Sequence, residues 1–215
     1  MQDKDINQVI KILRKAVTAW PAPALAHYSH TPFTTLISCI LSLRTQDRTT
    51  IEASERLYRV ADTPEQIAAL SRKRLERLIY PVSFFRVKAE TLREVSRDLI
   101  DRFGGAVPDT IDQLLTLKGV GRKTANIVVT LAYGKPGIAV DTHVHRIVNR
   151  LGYIRSRHAD QTELLLRDKL PRRYWIVLND LLVAYGQNHC TPSSPHCSTC
   201  LLDRYCDRVG VDRFR

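Results

Sequence analysis

Leu117-Lys118-Gly119-Val120-Gly121-Arg122-Lys123-Thr124-Ala125 is the stretch that decides the fold. Two glycines one residue apart allow a sharp turn and let backbone N–H groups come close to a ligand. Apolar residues at helical spacing flank the turn, with Ile111, Leu114, Leu115 and Leu117 before it and Ala125, Ile127, Val128 and Leu131 after it. This reads as helix, tight turn, helix. The turn's amides lie at a helix N-terminus, where the positive end of the dipole favours phosphate, and Lys118 and Arg122 add to that charge. Contact of this kind holds a nucleic-acid backbone without reading its bases. A Gly-x-Gly corner also joins helices that bind nothing, so the turn alone leaves both readings open.

Outward from the hairpin, helical periodicity continues almost everywhere and no segment sustains a period of two, which predicts an all-α protein. Ile6, Val9, Ile10, Leu13 and Val17 form one amphipathic face, and Trp20-Pro21-Ala22-Pro23 reads as a linker. Thr31-Pro32 opens a strongly apolar helix through Leu41, expected to be buried on most sides. Shorter helices are expected around 50–60, 63–70 and 72–79, and a longer one over 85–103 that Gly104-Gly105 ends. Thr110 is placed to cap the first hairpin helix, and Asp141 or Thr142 the helix over 143–151. Two further helices cover roughly 160–170 and 174–185.

Lys123 falls in the first turn of the second hairpin helix, where the dipole and Arg122 both disfavour a protonated amine. A neutral lysine is a nucleophile able to attack an electrophilic carbon and form a Schiff base. Asp141 follows eighteen residues later. It can return to the same side of the molecule if the chain reverses at Gly134 to Gly137, and there orient Lys123 and stabilise positive charge developing at that carbon. Each residue also has a plainer reading, Asp141 as a helix cap and Lys123 as a solvent or phosphate contact. His143 and His145, two apart on a helix, face different directions and read as packing or DNA-side residues.

Cysteine usage is uneven. Cys39 stands alone in an apolar helix as a small hydrophobe. Cys190, Cys197, Cys200 and Cys206 form a C-x6-C-x2-C-x5-C tail with few apolar neighbours. Four crowded thiols in such a tail point to a metal centre. Structural zinc favours two close pairs, and this pattern has one, so an iron-sulfur cluster is slightly preferred over zinc. Lys and Arg number 33 against 22 Asp and Glu, a net charge of +11 that favours a polyanionic partner. Neither a signal-peptide stretch nor a run long enough for a membrane span is present, so a soluble, non-membrane protein is expected; the compact length favours a prokaryotic cytoplasm, with association to the nucleoid, and a monomer is assumed.

The hairpin, Val140-Asp141-Thr142-His143-Val144 and the spaced cysteines together resemble the iron-sulfur branch of the helix-hairpin-helix DNA glycosylases. Pro32-Phe33 through Leu41-Ser42, Phe85-Arg86-Val87-Lys88-Ala89 and Val107-Pro108 extend the similarity nearly end to end. The resemblance implies a two-lobed all-α fold. A six-helix barrel over 25–135 would end in the hairpin, and a second lobe from 1–24 and 136–215 would hold a 4Fe-4S loop at 190–206. It also implies double-stranded DNA with damaged bases or abasic sites as substrate, lying across a cleft, with the target nucleotide flipped out. Lys123 and Asp141 match the family's catalytic pair, used to excise oxidised pyrimidines and nick by β-elimination. Gly119, Val120, Gly121, Lys118 and Arg122 would hold phosphate, and Arg44 and Gln46 would face DNA. Two departures stand out. Lys118 replaces a common proline, and Arg44 replaces a glutamine that fills the gap left by the flipped base. Arg44 keeps a mismatch glycosylase for T or U opposite G as the alternative enzyme. A non-catalytic DNA clamp is the alternative outside enzymes, though it leaves Lys123, Asp141 and the cysteines unexplained. Arg204 and Arg208 beside the cluster are further candidate phosphate contacts.

Overall fold

The computed structural model describes residues 1–20 and 31–215, and every regular element among them is helical. The linker expected at Pro21 to Pro23 lies outside the described residues. The chain divides into two compact units, one of residues 24–135 and one of 1–23 with 136–215.

The first unit is built round helix α2 (Pro32–Ser42), whose residues Phe33 to Leu41 are all buried. Thr31 starts it with a capping box: its hydroxyl accepts from Thr34 N, and Thr34 Oγ1 accepts from Thr31 N, both at 3.1 Å. Pro32 occupies the first turn, where a missing N–H costs nothing. Each of Leu36, Ile37, Ile40 and Leu41 is at most 1% exposed, and burial of a side chain of that size stabilises by about 1.5–3 kcal/mol. The buried hydroxyls of this helix are matched, Thr35 Oγ1 donating to Thr31 O at 2.8 Å and Ser38 Oγ meeting Tyr58 OH at 2.7 Å. Around this rod lie α3 (Asp47–Tyr58), α4 (Pro64–Ala69), α5 (Arg72–Ile79), α6 (Phe85–Phe103), α7 (Ile111–Leu115) and α8 (Arg122–Ile127). Helix α3 starts three residues before the expected Thr50, because Gln46 is extended and sits at its N-cap. Helix α7, capped by Thr110, stops at Leu115 and leaves Leu117 in the turn, shorter than its apolar spacing suggests.

Helix α8 continues as a π-helical turn over Val128–Ala132. Thr130 Oγ1 donates back to Asn126 O at 2.9 Å and Ile127 O at 3.0 Å, a side-chain intrusion that accompanies the widened turn. Gly134 ends the run at φ +62, with Lys135 N bonding Val129 O at 2.9 Å.

In the second unit α1 (Ile6–Val17) buries Ile6, Val9, Ile10 and Leu13 and packs on α11 (Trp175–Asn188). The same core takes Val144, Ile147 and Val148 from α9 (Thr142–Arg150) and Leu166 from α10 (Ala159–Lys169). The two ends of the chain meet here. The Met1 ammonium lies 3.1 Å from Asp207 Oδ1, and Asp207 also fills the space beside Gly152, where a Cβ would come within 1.8 Å of it. Among the described residues, no helix is long and apolar enough to cross a membrane.

Candidate active site

The hairpin turn gives its two glycines different tasks. Gly119 has φ +75, and a Cβ there would come within 2.7 Å of Thr91 Cγ2 on α6, so both backbone and neighbour demand glycine. Gly121 is extended at φ −96 and serves as N-cap of α8, and a Cβ on it would meet open space. The turn therefore needs one glycine for its shape, and the other keeps its outer surface bare. Among the described residues no acceptor takes the amides of Gly119 or Gly121. Val120 behaves otherwise: its amide bonds Leu117 O at 3.2 Å and its side chain is buried in the core. Of Gly119, Val120 and Gly121, three of the five hairpin residues expected at phosphate, only the glycines have amides with no acceptor among the described residues.

The charges around the turn are partly committed. Lys118 Nζ lies 2.6 Å from Glu94 Oε2, so its charge is largely offset. Arg122 and Lys123 are both half-buried in the first turn of α8. Lys123 is close enough to Cys39 on α2 for its charge to act on that thiol. Burial pushes the Cys39 thiol up to about 12, with Lys123 pulling the other way, so Cys39 stays a neutral core residue.

In the second unit Asp141 is half-buried and caps α9, Oδ1 accepting from His143 N at 2.9 Å and Val144 N at 2.8 Å. The capping role foreseen for it is real, and it fixes where the carboxylate stands. His143 Nδ1 accepts from Arg146 Nη2 at 3.1 Å, which leaves the ring proton on Nε2. His145 Nδ1 is 2.7 Å from Thr162 Oγ1, a packing role.

Arg44 and Gln46 lie in the loop between α2 and α3, both exposed. Arg44 sits at φ +55, and its guanidinium carbon is 6.0 Å from the centroid of the Phe84 ring. Phe84 is itself at φ +58 and 61% exposed, a large apolar side chain held outward by strained backbone. Beneath the loop the Lys88 ammonium donates to Leu41 O at 2.7 Å, Leu43 O at 2.6 Å and Thr45 Oγ1 at 3.1 Å. Burial lowers Lys88 to about 8. Sequence reasoning missed this strut, yet a signal existed: Lys88 falls on the buried stripe of α6 with Leu92, Val95 and Leu99. Phe84 left no such mark.

The four tail cysteines are all half-buried. Arg150 ties their loop to α9, donating to Cys190 Sγ at 3.4 Å, Thr191 O at 2.7 Å and Pro192 O at 2.6 Å, while Cys206 Sγ donates to Arg150 O at 3.3 Å. Tyr185 OH is 3.2 Å from Cys200 Sγ. Burial pushes Cys206 up to about 11, and Cys200, Cys190 and Cys197 add to the rise, so the thiols crowd one another. His189 Nε2 is buried with no hydrogen-bond partner, among the described residues. No group of three or more His, Cys, Asp or Glu among the described residues converges as a single metal ion would require. Arg208 is paired at the surface, its Nη2 2.5 Å from Asp203 Oδ1 and its guanidinium over Phe214, so it is less free for phosphate than its sequence position suggests. Arg204 is exposed and stacks on Tyr205.

Comparison with known proteins agrees in sequence and in three dimensions. Residues 37–172 match the family described as the HhH-GPD superfamily of base excision DNA repair proteins. Endonuclease III of Thermotoga maritima is 44% identical over 181 residues, 84% of this chain and 85% of that protein. A non-covalent Endonuclease III–DNA complex superposes with a TM-score of 0.88 at 33% identity, covering 97% of this chain and 96% of that one. A trapped Endonuclease III–DNA covalent intermediate gives the same score and identity, covering 97% of each chain. The hairpin, its flanking helices and the matched span together place this chain in the HhH-GPD superfamily of base excision DNA repair proteins.

Proposed function

We propose that this chain excises oxidised pyrimidines from double-stranded DNA through a lysine Schiff base and then nicks the strand by β-elimination. It is a base-excision-repair DNA glycosylase and lyase acting on damaged bases. The observation that best supports the finer reading is Lys123, half-buried in the first turn after a hairpin whose two glycine amides have no acceptor among the described residues. Those amides and Arg122 would take DNA phosphate, and the bare surface of Gly121 would let the backbone approach closely.

In this reading the Lys123 amine attacks the sugar carbon bearing the damaged base, the base leaves with the glycosidic electron pair and is protonated by water, and the proton shed by the attacking nitrogen passes by way of Asp141 to the ring oxygen. The sugar ring opens as the amine becomes a protonated Schiff base. Loss of a proton from the neighbouring sugar carbon then expels the 3′ phosphate. Asp141 would stabilise the positive charge on the sugar and accept protons, and its cap bonds hold the carboxylate in place for that task. Arg44 and Gln46 would face the strand opposite the extruded base.

Cys190, Cys197, Cys200 and Cys206 are proposed to hold a 4Fe-4S cluster. When bound, such a cluster would cross-link the tail and fix its loop, as the scarcity of apolar side chains there requires. A monomer working on nucleoid DNA in a prokaryotic cytoplasm completes the proposal.

Arg44 favours one second reading, mismatch excision of T or U opposite G, since a guanidinium can donate to an orphan guanine. Excision rates from duplexes carrying thymine glycol and a T·G mismatch separate the two. Faster release from thymine glycol supports the proposal, and faster release from the mismatch replaces it.

A further inference from the structure

A groove lies on the unit of residues 24–135, lined by none of the site residues above. It encloses about 520 Å³ between Lys73, Glu76 and Arg77 of α5 and Tyr80 and Phe85 just beyond. Lys73, Arg77 and Tyr80 are spaced by four and three residues, so a single helical face presents them together. Glu76 is bonded to Arg72 at 2.9 Å, which offsets its charge. Lys73 and Arg77 are exposed and have no ion-pair partner among the described residues. Tyr80 is 60% exposed and meets Phe85 edge to face, centroids 5.4 Å apart. The turn beneath is tied down, Arg56 Nε donating to Leu78 O at 3.1 Å and its Nη2 to Tyr80 O.

We propose that this groove binds a nucleotide unit of the DNA substrate, its phosphate between Lys73 and Arg77 and its base or sugar against Tyr80 and Phe85. Two cations with a prebuilt aromatic wall match a ligand that joins an anion to a flat ring. An acidic peptide would use the cations and leave the aromatic wall without a partner. Phe85 of the groove follows Phe84 in sequence, the residue that Arg44 faces at 6.0 Å in the loop assigned to DNA by the proposed function. The inference rests on that reading of DNA binding, and it adds a subsite the hairpin does not supply.

The test is fluorescence anisotropy of the full chain on a duplex with a tetrahydrofuran abasic analogue, across a potassium chloride series. Both positions are exposed, so Lys73→Gln/Arg77→Gln should fold, and circular dichroism checks it. The double variant should bind more weakly and lower the slope of log affinity against log salt by about 1, for the one phosphate no longer neutralised. Tyr80→Ala should weaken binding about tenfold with little change in slope. Wild-type affinity and slope in both variants would overturn the proposal. Duplex binding unchanged alongside a poly-glutamate peptide that binds wild type and not the double variant would assign the groove to acidic polypeptide and overturn it as well. Failure of the lysine chemistry in wild type would strike the proposed function and leave these binding outcomes readable.

Discussion

The Lys88 ammonium donates to the Leu43 carbonyl oxygen at 2.6 Å, a buried cation holding the loop on which Arg44 adopts φ +55. Left-handed backbone at a non-glycine residue costs roughly 1–3 kcal/mol and persists only where neighbours enforce it. Lys88→Met should therefore lower both stability and affinity for abasic duplex. The sign with pH follows from its titration. The folded chain releases the Lys88 proton near 8, whereas the unfolded chain holds it to about 10.5. Between those values the unfolded state binds more protons, so stability attributable to Lys88 rises with pH. Denaturant titrations should show the gap between wild type and Lys88→Met widening from pH 8 to 10. A constant gap would contradict this.

Gly119 and Gly121 make a paired test of the hairpin. Gly119→Ala combines positive φ with a Cβ 2.7 Å from Thr91 Cγ2 and should cost about 1–3 kcal/mol in thermal or chemical unfolding. Gly121→Ala, extended and open, should change stability by no more than about 0.5 kcal/mol, yet weaken DNA binding if backbone approaches phosphate there. Equal stability effects at the two positions would refute the division of roles.

Asp141 has a capping role and a proposed chemical one, and asparagine separates them. Asn caps helices about as well as Asp, whereas alanine costs about 1 kcal/mol. Asp141→Asn should melt near wild type and lose at least about a hundredfold in single-turnover excision, the range expected for a lost acid–base group. Asp141→Ala should lose both. Wild-type excision by Asp141→Asn would leave Asp141 a cap and nothing more.

Much of this was legible in the sequence, for identifiable reasons. Helix α6 is legible from Phe85 to Phe103 because apolar periodicity and a glycine stop coincide there. Helix α2 announces itself by its Thr-Pro start. Helix α7 is shorter than the sequence suggests because Leu117 keeps helical spacing while lying in a turn. The hairpin was visible as Gly-x-Gly, but the need for only one left-handed residue is a property of φ angles and of Thr91, distant in sequence. Offsetting of Lys118 by Glu94, twenty-four residues away, depends likewise on a tertiary neighbour. The Arg44–Phe84 stack joins residues forty apart, beyond the reach of local pattern.

The cysteine tail gives a compositional prediction. Anaerobically purified protein should contain iron and acid-labile sulfide near four each per chain, and Cys200→Ser should lose both and unfold at lower temperature. Stoichiometric zinc without iron would contradict the cluster.

The central claim is amine catalysis by Lys123, and borohydride trapping on a thymine glycol duplex tests it most directly. Wild type should yield a covalent protein–DNA complex, Lys123→Ala should bind the same duplex and yield none, and strand nicking should vanish with it. Undiminished trapping by Lys123→Ala, or base release by wild type that never traps, would contradict the account.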